Sequence, residues 1–373
     1  MRSPSDTDER AGLPSASAWP RYEACPGSWA MEQKAREVGQ LACGPNQWTL
    51  RGERIHAWLA GEPVELSEEE RVSAELLLGR ATEQRVRIFG EGTPVTHLNE
   101  KRLWLRLNGR LVASGRFDRV LYTDTLALVQ DFKTGFSEPT AASQSAQMRV
   151  LAVLVGLSLP KITEVVVQII SGPFGVSEAR YSVGDLTQLY RQIEATLTAL
   201  QAPDAPLVPS PELCRKCPAQ LVCPALKALV VPTRRALASP LPDGGNAAKL
   251  LDEIAIFEAH FEEVKAFYSN KLATDPDYKI PGYALVPGAA RREITDWPAL
   301  RERLARFVEP EQLDGPKALG ELERALGRAL GLGPVQAKER FNAIAGECIA
   351  KKEPAPSLKR ISGSPKFKHL EAA

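Results

Sequence analysis

The sequence predicts a three-layer α/β/α domain built on a mixed sheet, followed by a smaller, mainly helical C-terminal domain. Three observations predict it. Strand-like segments rich in β-branched and apolar residues cluster between 102 and 170, with helical patterns on either side. The run Val165-Val166-Val167-Gln168-Ile169-Ile170 is almost wholly apolar, as in a strand covered on both faces. Pro- and Gly-rich punctuation near 202–211, and again near 232–246, separates this block from a second, helical part.

Taken in order, residues 1–14 form a polar tail expected to be disordered. Helical spacing follows at 15–36, 48–60 and 67–89, then strands at 102–107, 111–122 and 126–133. A helix over 139–157 leads into the buried strand at 164–170, a further strand at 178–183 and a helix at 184–200. Helices flanking a mixed sheet make three layers, so 15–232 reads as one α/β domain. Residues 233–246 read as a linker and 247–350 as a helical domain, with helices at 247–272, 297–307, 316–330 and 335–345. The end, 351–373, carries six Lys/Arg against two Glu and reads as a basic, flexible tail.

Composition sets the outer limits. With 373 residues, 44% hydrophobic, 25% charged and a net charge of +1, the chain is ordinary globular protein, which excludes disorder, collagen and coiled coil. A neutral balance excludes a histone-like blanket of charge but leaves room for a local basic groove. The apolar run at 150–159 is short of the roughly 20 residues a bilayer demands, so no membrane partner is expected. Residues 1–12 are charged and lack an apolar stretch, so a cytoplasmic location is expected. In that compartment six cysteines are not expected to pair as structural disulfides.

The most informative segment is Gly115-Arg116-Phe117-Asp118, followed after a turn by Gln130-Asp131-Phe132-Lys133-Thr134-Gly135. A two-residue turn at Asp124-Thr125 sets Asp118 opposite Asp131, with Cβ atoms about 4.5–5.5 Å apart. Lys133, two residues on, shares their face. Two carboxylates that close repel unless a cation sits between them, and Mg²⁺ or Mn²⁺ suits their oxygen atoms. The lysine could steady an attacking water or an overcharged phosphate. The same spacing also fits a solvated strand face on which Asp131 and Lys133 form an ordinary surface pair.

Gly-x-x-Asp followed on the next strand by Asp-x-Lys resembles the PD-(D/E)XK nuclease signature, and the version here is similar to the RecB-family branch. The resemblance implies that Asp118 and Asp131 bind metal, with the Phe132 carbonyl and His56 as further ligands, and that Lys133 is catalytic. His56, in Gly52-Glu53-Arg54-Ile55-His56, stands where the family's upstream histidine is expected; His97, His260 and His369 have no such context. The family's Gln-x-x-x-Tyr motif matches at Gln147, a further catalytic candidate, but Leu151 replaces the tyrosine. Glu100 is a weaker candidate, for a second metal.

Cys214-x₂-Cys217-x₅-Cys223 is one thiolate short of a tetrahedral site, and Cys25 is the natural fourth. Spacing alone favours zinc. One cysteine before the nuclease motif and three after it, however, resembles the four-iron–four-sulfur staple of RecB-family nucleases such as AddB-type helicase-nucleases and CRISPR-associated adaptation nucleases. Cys43 and Cys348 stand alone and read as ordinary small side chains.

The resemblance covers roughly the first 230 of the 373 residues. Ser15-Ala16-Ser17 leading into Cys25-Pro26-Gly27-Ser28 is similar to stand-alone phage and prophage members, and the chain has no P-loop motif. Tyr278-Lys279-Ile280-Pro281-Gly282-Tyr283 and Arg291-Arg292 are more weakly similar to the C-terminal region of those proteins. Lys279, Arg291, Arg292 and the tail could guide DNA, or the region could be a helical cap with a solvated tail.

Together these readings imply a Mg²⁺- or Mn²⁺-dependent DNA exonuclease acting on single- or double-stranded ends. Its single-stranded product would pass to an annealing or single-strand-binding recombination partner. Two alternatives are a catalytically weak DNA-end-binding module and a zinc-stapled interaction protein.

Overall fold

The strand-rich block builds a five-stranded sheet and a separate two-stranded ribbon in the computed structural model, which describes residues 10, 12–42, 47–135, 137–229, 244–286, 291–313, 318–352 and 356–360. Ahead of the sheet come α1 (Trp19–Ala24), α2 (Ser28–Glu37), α3 (Gln47–Leu59) and α4 (Glu68–Phe89). The strands are β1 (Thr96–Asn99), β2 (Arg102–Leu107), β3 (Arg110–Arg116), β4 (Arg119–Tyr122) and β5 (Leu126–Lys133). After them follow α5 (Ala146–Ser158), β6 (Glu164–Ser171), β7 (Gly175–Ser182), α6 (Val183–Gln201) and the single turn α7 (Pro211–Cys214).

The main sheet runs β1-β4-β5-β6-β7. Only β5 and β6 pair in parallel, and such a pair needs a crossover, which α5 supplies. Because helices cover both faces, the central strands are apolar on both. On one face Val129, Val165, Val167 and Ile169 pack with α5 and with Ile193 and Leu197 of α6. On the other, Phe132 and Ile170 meet Ile55 of α3 and Ala74 and Leu77 of α4. Two polar residues interrupt that second face. Gln130 donates to the Ala81 carbonyl at 3.3 Å and to Gln168 Oε1 at 3.1 Å, and Gln168 donates to Glu178 Oε2 at 2.8 Å. These bonds pair Gln168 and the Gln130 amide nitrogen, while the buried Gln130 Oε1 accepts no hydrogen bond among the described residues.

Local signals place the helix ends. Ser67 and Glu70 form a capping box on α4, whose first turn holds three glutamates against the helix dipole. Ser145 caps α5 through the Met148 N–H, so this helix begins at Ala146 and not near 139 as expected. The helix expected over 15–36 is broken at Cys25-Pro26-Gly27, since Pro26 lacks the N–H that would continue it. The strand expected over 111–122 is two strands, β3 in the ribbon with β2 and β4 in the main sheet. The chain changes sheets at Phe117, which is fully buried, and Asp118. Strand β1, short and largely exposed, carries no apolar run by which the sequence could announce it.

Gly115 lies where β3 passes beneath α5. A Cβ there would stand 2.7 Å from Leu154 Cδ1 and 2.8 Å from Leu151 Cδ2, both side chains in the core. Gly115→Ala is therefore expected to destabilise the domain by about 1–3 kcal/mol through overpacking, read as a lower midpoint in thermal unfolding.

Glu32 is buried between Arg21 at 2.6 Å and Arg36 at 3.0 Å. Burial works against its charge, but the two guanidiniums outweigh it and hold the carboxyl below its usual pKa. Its contribution is thus complete above the ordinary glutamate pKa and is lost as pH falls through the depressed one. Glu32→Gln is expected to be destabilised at neutral pH, with the difference from the unmodified chain vanishing in strong acid.

The chain divides into two compact units, Met1–Phe267 and Tyr268–Ala373, the division falling inside the helix Gly244–Thr274. In the second unit Trp297–Leu304, Leu319–Leu330 and Pro334–Ala345 pack around Leu300, Leu304, Leu326 and Phe341. Four short strands there were not foreseen: β8 (Tyr283–Val286) pairs with β11 (Ser357–Arg360), and β9 (Arg291–Ile294) with β10 (Ile349–Lys352). Residues 351–352 and 357–360 of the expected tail are therefore strand. Most of the tails at 1–14 and 361–373, most of the linker at 233–246, Cys43 and His369 lie outside the described residues. Among the described residues no helix is long and apolar enough to cross a membrane.

Candidate functional site

The β4–β5 hairpin has the register its turn implies: Arg119 lies opposite Gln130 and Val120 opposite Val129. One step further along, at the strand ends, the chain brings up Asp118 and Asp131. Asp118 is fixed from two sides. Its Oδ2 accepts the Phe132 N–H at 2.7 Å, and its Oδ1 lies 3.2 Å from His56 Nδ1.

His56 reaches the hairpin because α3 docks against the end of β5. Ile55 and Phe132 share a core cluster, and Arg51 donates to the Thr134 carbonyl at 3.1 Å. The absence of a side chain at Gly52 admits Thr134, whose Oγ1 would be 3.0 Å from a Cβ there. The third arm is Glu100, in the turn between β1 and β2. Its N–H bonds the Asp118 carbonyl at 2.9 Å, and its Oε2 pairs with Arg116 Nε at 2.6 Å. Glu100 holds a positive φ of 48°, a conformation a non-glycine residue adopts at a cost of about 1–3 kcal/mol.

Ligand atoms of His56, Glu100 and Asp118 all lie within 4.8 Å of one another, the one such group among the described residues. His97 and His260 belong to no such group. Imidazole and two carboxylates suit a divalent cation of the first transition row, and the carboxylates also suit Mg²⁺. Burial works against a charge on His56, but its bond to Asp118 and the negative field of Asp118, Asp131 and Glu100 raise its pKa. Burial and the charge of Asp118 raise that of Glu100. Acids crowded in this way are relieved by a bound cation.

Asp131, 3% exposed, faces a different set of partners. Lys133 Nζ stands 2.7 Å from its Oδ2, and Gln147 of α5 donates to its Oδ1 at 2.9 Å. Lys133 also donates to Gln147 Oε1 at 3.4 Å, which closes a triangle. Burial disfavours the ammonium, yet Asp131 outweighs it and keeps Lys133 charged. The structure therefore brings Asp118, Asp131, Lys133, Gln147 and His56 to one place. It groups Glu100, and not Asp131, with His56 and Asp118, and Phe132 meets Asp118 through its amide. Leu151, where the tyrosine of the Gln-x-x-x-Tyr pattern would stand, is fully buried against Gly115. Arg116 was not singled out in the sequence, although its place two residues before Asp118 on an extended segment was the available signal.

The four cysteines meet elsewhere in the same unit. Cys25, at the break between α1 and α2, Cys214, at the end of α7, and Cys217 and Cys223 line one cavity with Met31, Leu207 and Leu226. Burial, with neighbouring thiols adding, pushes the Cys214 thiol up to about 11. The backbone joins the same two regions. Gly27 N–H bonds the Pro206 carbonyl at 2.9 Å, Ala42 N–H bonds Pro218 at 2.7 Å, and Val208 N–H lies 3.2 Å from Cys25 Sγ. No three of the four sulfurs lie within 4.8 Å of one another.

A family model described as the PD-(D/E)XK nuclease superfamily matches residues 14–224, from just before α1 to just past the last of these cysteines. The chain belongs to the PD-(D/E)XK nuclease superfamily. Its mixed sheet with flanking helices is the α/β core of that superfamily, and the Asp118, Asp131 and Lys133 constellation lies within the matched segment. Among solved structures it is similar to SSO0001, at 16% identity and a TM-score of 0.32, over 59% of this chain and 90% of the other. It is also similar to a protein from Eubacterium rectale described as a candidate exonuclease, at 10% identity and a TM-score of 0.36, over 54% and 85%. No curated protein matches.

Proposed function

We propose that this PD-(D/E)XK superfamily member is a divalent-metal-dependent DNA exonuclease. The observation that carries the reading is the convergence of His56, Glu100 and Asp118 beside the Asp131–Lys133–Gln147 triangle. His56, Glu100 and Asp118 would hold Mg²⁺ or Mn²⁺, with Asp131 and the Phe132 carbonyl as the further ligands the resemblance implies. The ion would supply a water of lowered pKa and charge relief at the phosphoryl oxygens. The Phe132 amide fixes Asp118, and Arg116 fixes Glu100, so both carboxylates are set before a cation arrives. Asp131 keeps Lys133 charged and aimed, and the ammonium orients the attacking water or offsets charge as its oxygen bonds to phosphorus and the P–O ester bond breaks.

The four cysteines would hold a four-iron–four-sulfur cluster, as the split of one before the nuclease motif and three after it implies, with zinc as the other metal that four thiolates suit. Such a cluster would be shielded from solvent by the apolar shell of Met31, Leu207 and Leu226. Its role would be to tie the first helices to the segment after α6. Service in phage or prophage recombination, with hand-over to an annealing partner, rests on the sequence resemblance alone.

The test is digestion of end-labelled linear DNA, single- and double-stranded, in Mg²⁺, Mn²⁺ or EDTA. Metal-dependent shortening from one labelled end supports the exonuclease and gives its polarity. Intact protein that binds ends without cutting them would instead be the end-binding module.

A further inference from the structure

A groove of about 480 Å³ opens on the same sheet face as the catalytic cluster, and the mechanism above does not use it. Its floor continues the row that carries Asp131 and Lys133. In the parallel β5–β6 pair Asp131 stands beside Ile169 and Lys133 beside Ser171, and across β6–β7 Ile169 stands beside Ser177. Registered neighbours project to the same face, and adjacent strands lie about 4.8 Å apart. Ile169, Ser171 and Ser177 all line the groove, so it begins one strand away from the lysine.

The lining has a definite chemistry. Thr140, Gln144, Ser171 and Ser177 offer neutral donors and acceptors, Glu138 is the one charged residue, and neither Lys nor Arg takes part. The Ser171 hydroxyl makes no hydrogen bond among the described residues although the residue is only 1% exposed. Phe174, in the turn between β6 and β7, is 46% exposed at the rim. A phosphate would find no cation here and would meet Glu138. A nucleobase would find an aromatic face to stack on and neutral partners for its edge or its sugar, and the volume lies within the roughly 300–1,000 Å³ of ligand pockets.

We propose that this groove holds the base and sugar of a nucleotide next to the scissile phosphate, with Phe174 as the stacking platform. The proposal rests on the nuclease reading. The experiment measures kcat/KM on short single-stranded oligonucleotides, intact or with one abasic residue moved stepwise across the cut, for the unmodified chain, Phe174→Ala and Phe174→Trp. The unmodified chain is expected to lose about 5- to 150-fold at one abasic position. Phe174→Ala is expected to show that loss on the intact strand and no further loss at the abasic position, while Phe174→Trp stays near the unmodified value. The abasic scan of the unmodified chain reads the same contact without any substitution. Absence of a sensitive position, or abasic and Phe174→Ala losses that simply multiply, overturns the groove assignment and leaves the nuclease reading standing. Failure of the unmodified chain to cut the single strands, or the same strands annealed as duplexes, in Mg²⁺ or Mn²⁺ overturns the nuclease reading, and this assignment with it.

Discussion

Asp131→Ala and Lys133→Ala are each expected to lower the single-turnover rate of DNA cleavage by at least about 10²–10³-fold, with the fold intact. The two act as a unit. Asp131 holds the ammonium at 2.7 Å and the Gln147 amide at 2.9 Å, so its loss frees both. Removing Lys133 leaves a buried carboxyl without its cation, and breaking a buried pair can be severely destabilising. Here the cost is moderated, because burial already raises the pKa of Asp131 and the carboxyl can take up a proton, and because Lys133 is partly open to water. The double variant should then be little slower than either single one. Circular dichroism would establish that each variant is folded, and full activity in either would remove these residues from the proposed site.

On the proposed iron–sulfur staple, Cys217→Ala is expected to cost the protein iron, visible absorption and much of its stability. Cys25 and the 214–223 cysteines bracket almost the whole α/β domain. By the loop-closure argument, a covalent link across more than 100 residues is worth up to about 4–5 kcal/mol. That is a large share of the roughly 5–15 kcal/mol by which domains are stable. Metal analysis of anaerobically purified protein, beside thermal unfolding of the unmodified chain and the variant, would read both effects. Iron-free protein of unchanged stability in both would count against the staple, and zinc in place of iron would favour the other metal.

Much of this was legible because the informative segments are local. Strand β5 and the turn before it fix the register, and that register, carried one step past Arg119 and Gln130, sets Asp131 level with Asp118, with Lys133 on the face of Asp131. The buried β6 announced itself by its apolar run, since both faces of it are covered. Other parts depend on neighbours distant in sequence. The break at Phe117–Asp118 is invisible along the chain, because every residue from 111 to 122 tolerates an extended conformation; only the pairing of β3 with β2 and of β4 with β5 separates them. Glu100 joins His56 and Asp118 through a left-handed turn that no periodicity marks. The strands of the second unit are four residues long and pair across many intervening residues, so neither length nor alternation signals them.

The bonds from Gly27 to Pro206 and from Ala42 to Pro218 also bear on how the protein is made. The first of each pair leaves the ribosome early and its partner roughly 180 residues later, which at about 5–20 residues per second is a wait of roughly 10–40 s. Throughout that interval Cys25 waits without Cys214, Cys217 and Cys223, the thiols with which it would share a ligand. The sheet and α5 can form meanwhile, since their pairings are complete by residue 182. Closure of the cysteine pocket therefore follows synthesis of the sheet, and a chain that stops short of Cys223 would hold every strand of the sheet but lack part of that pocket.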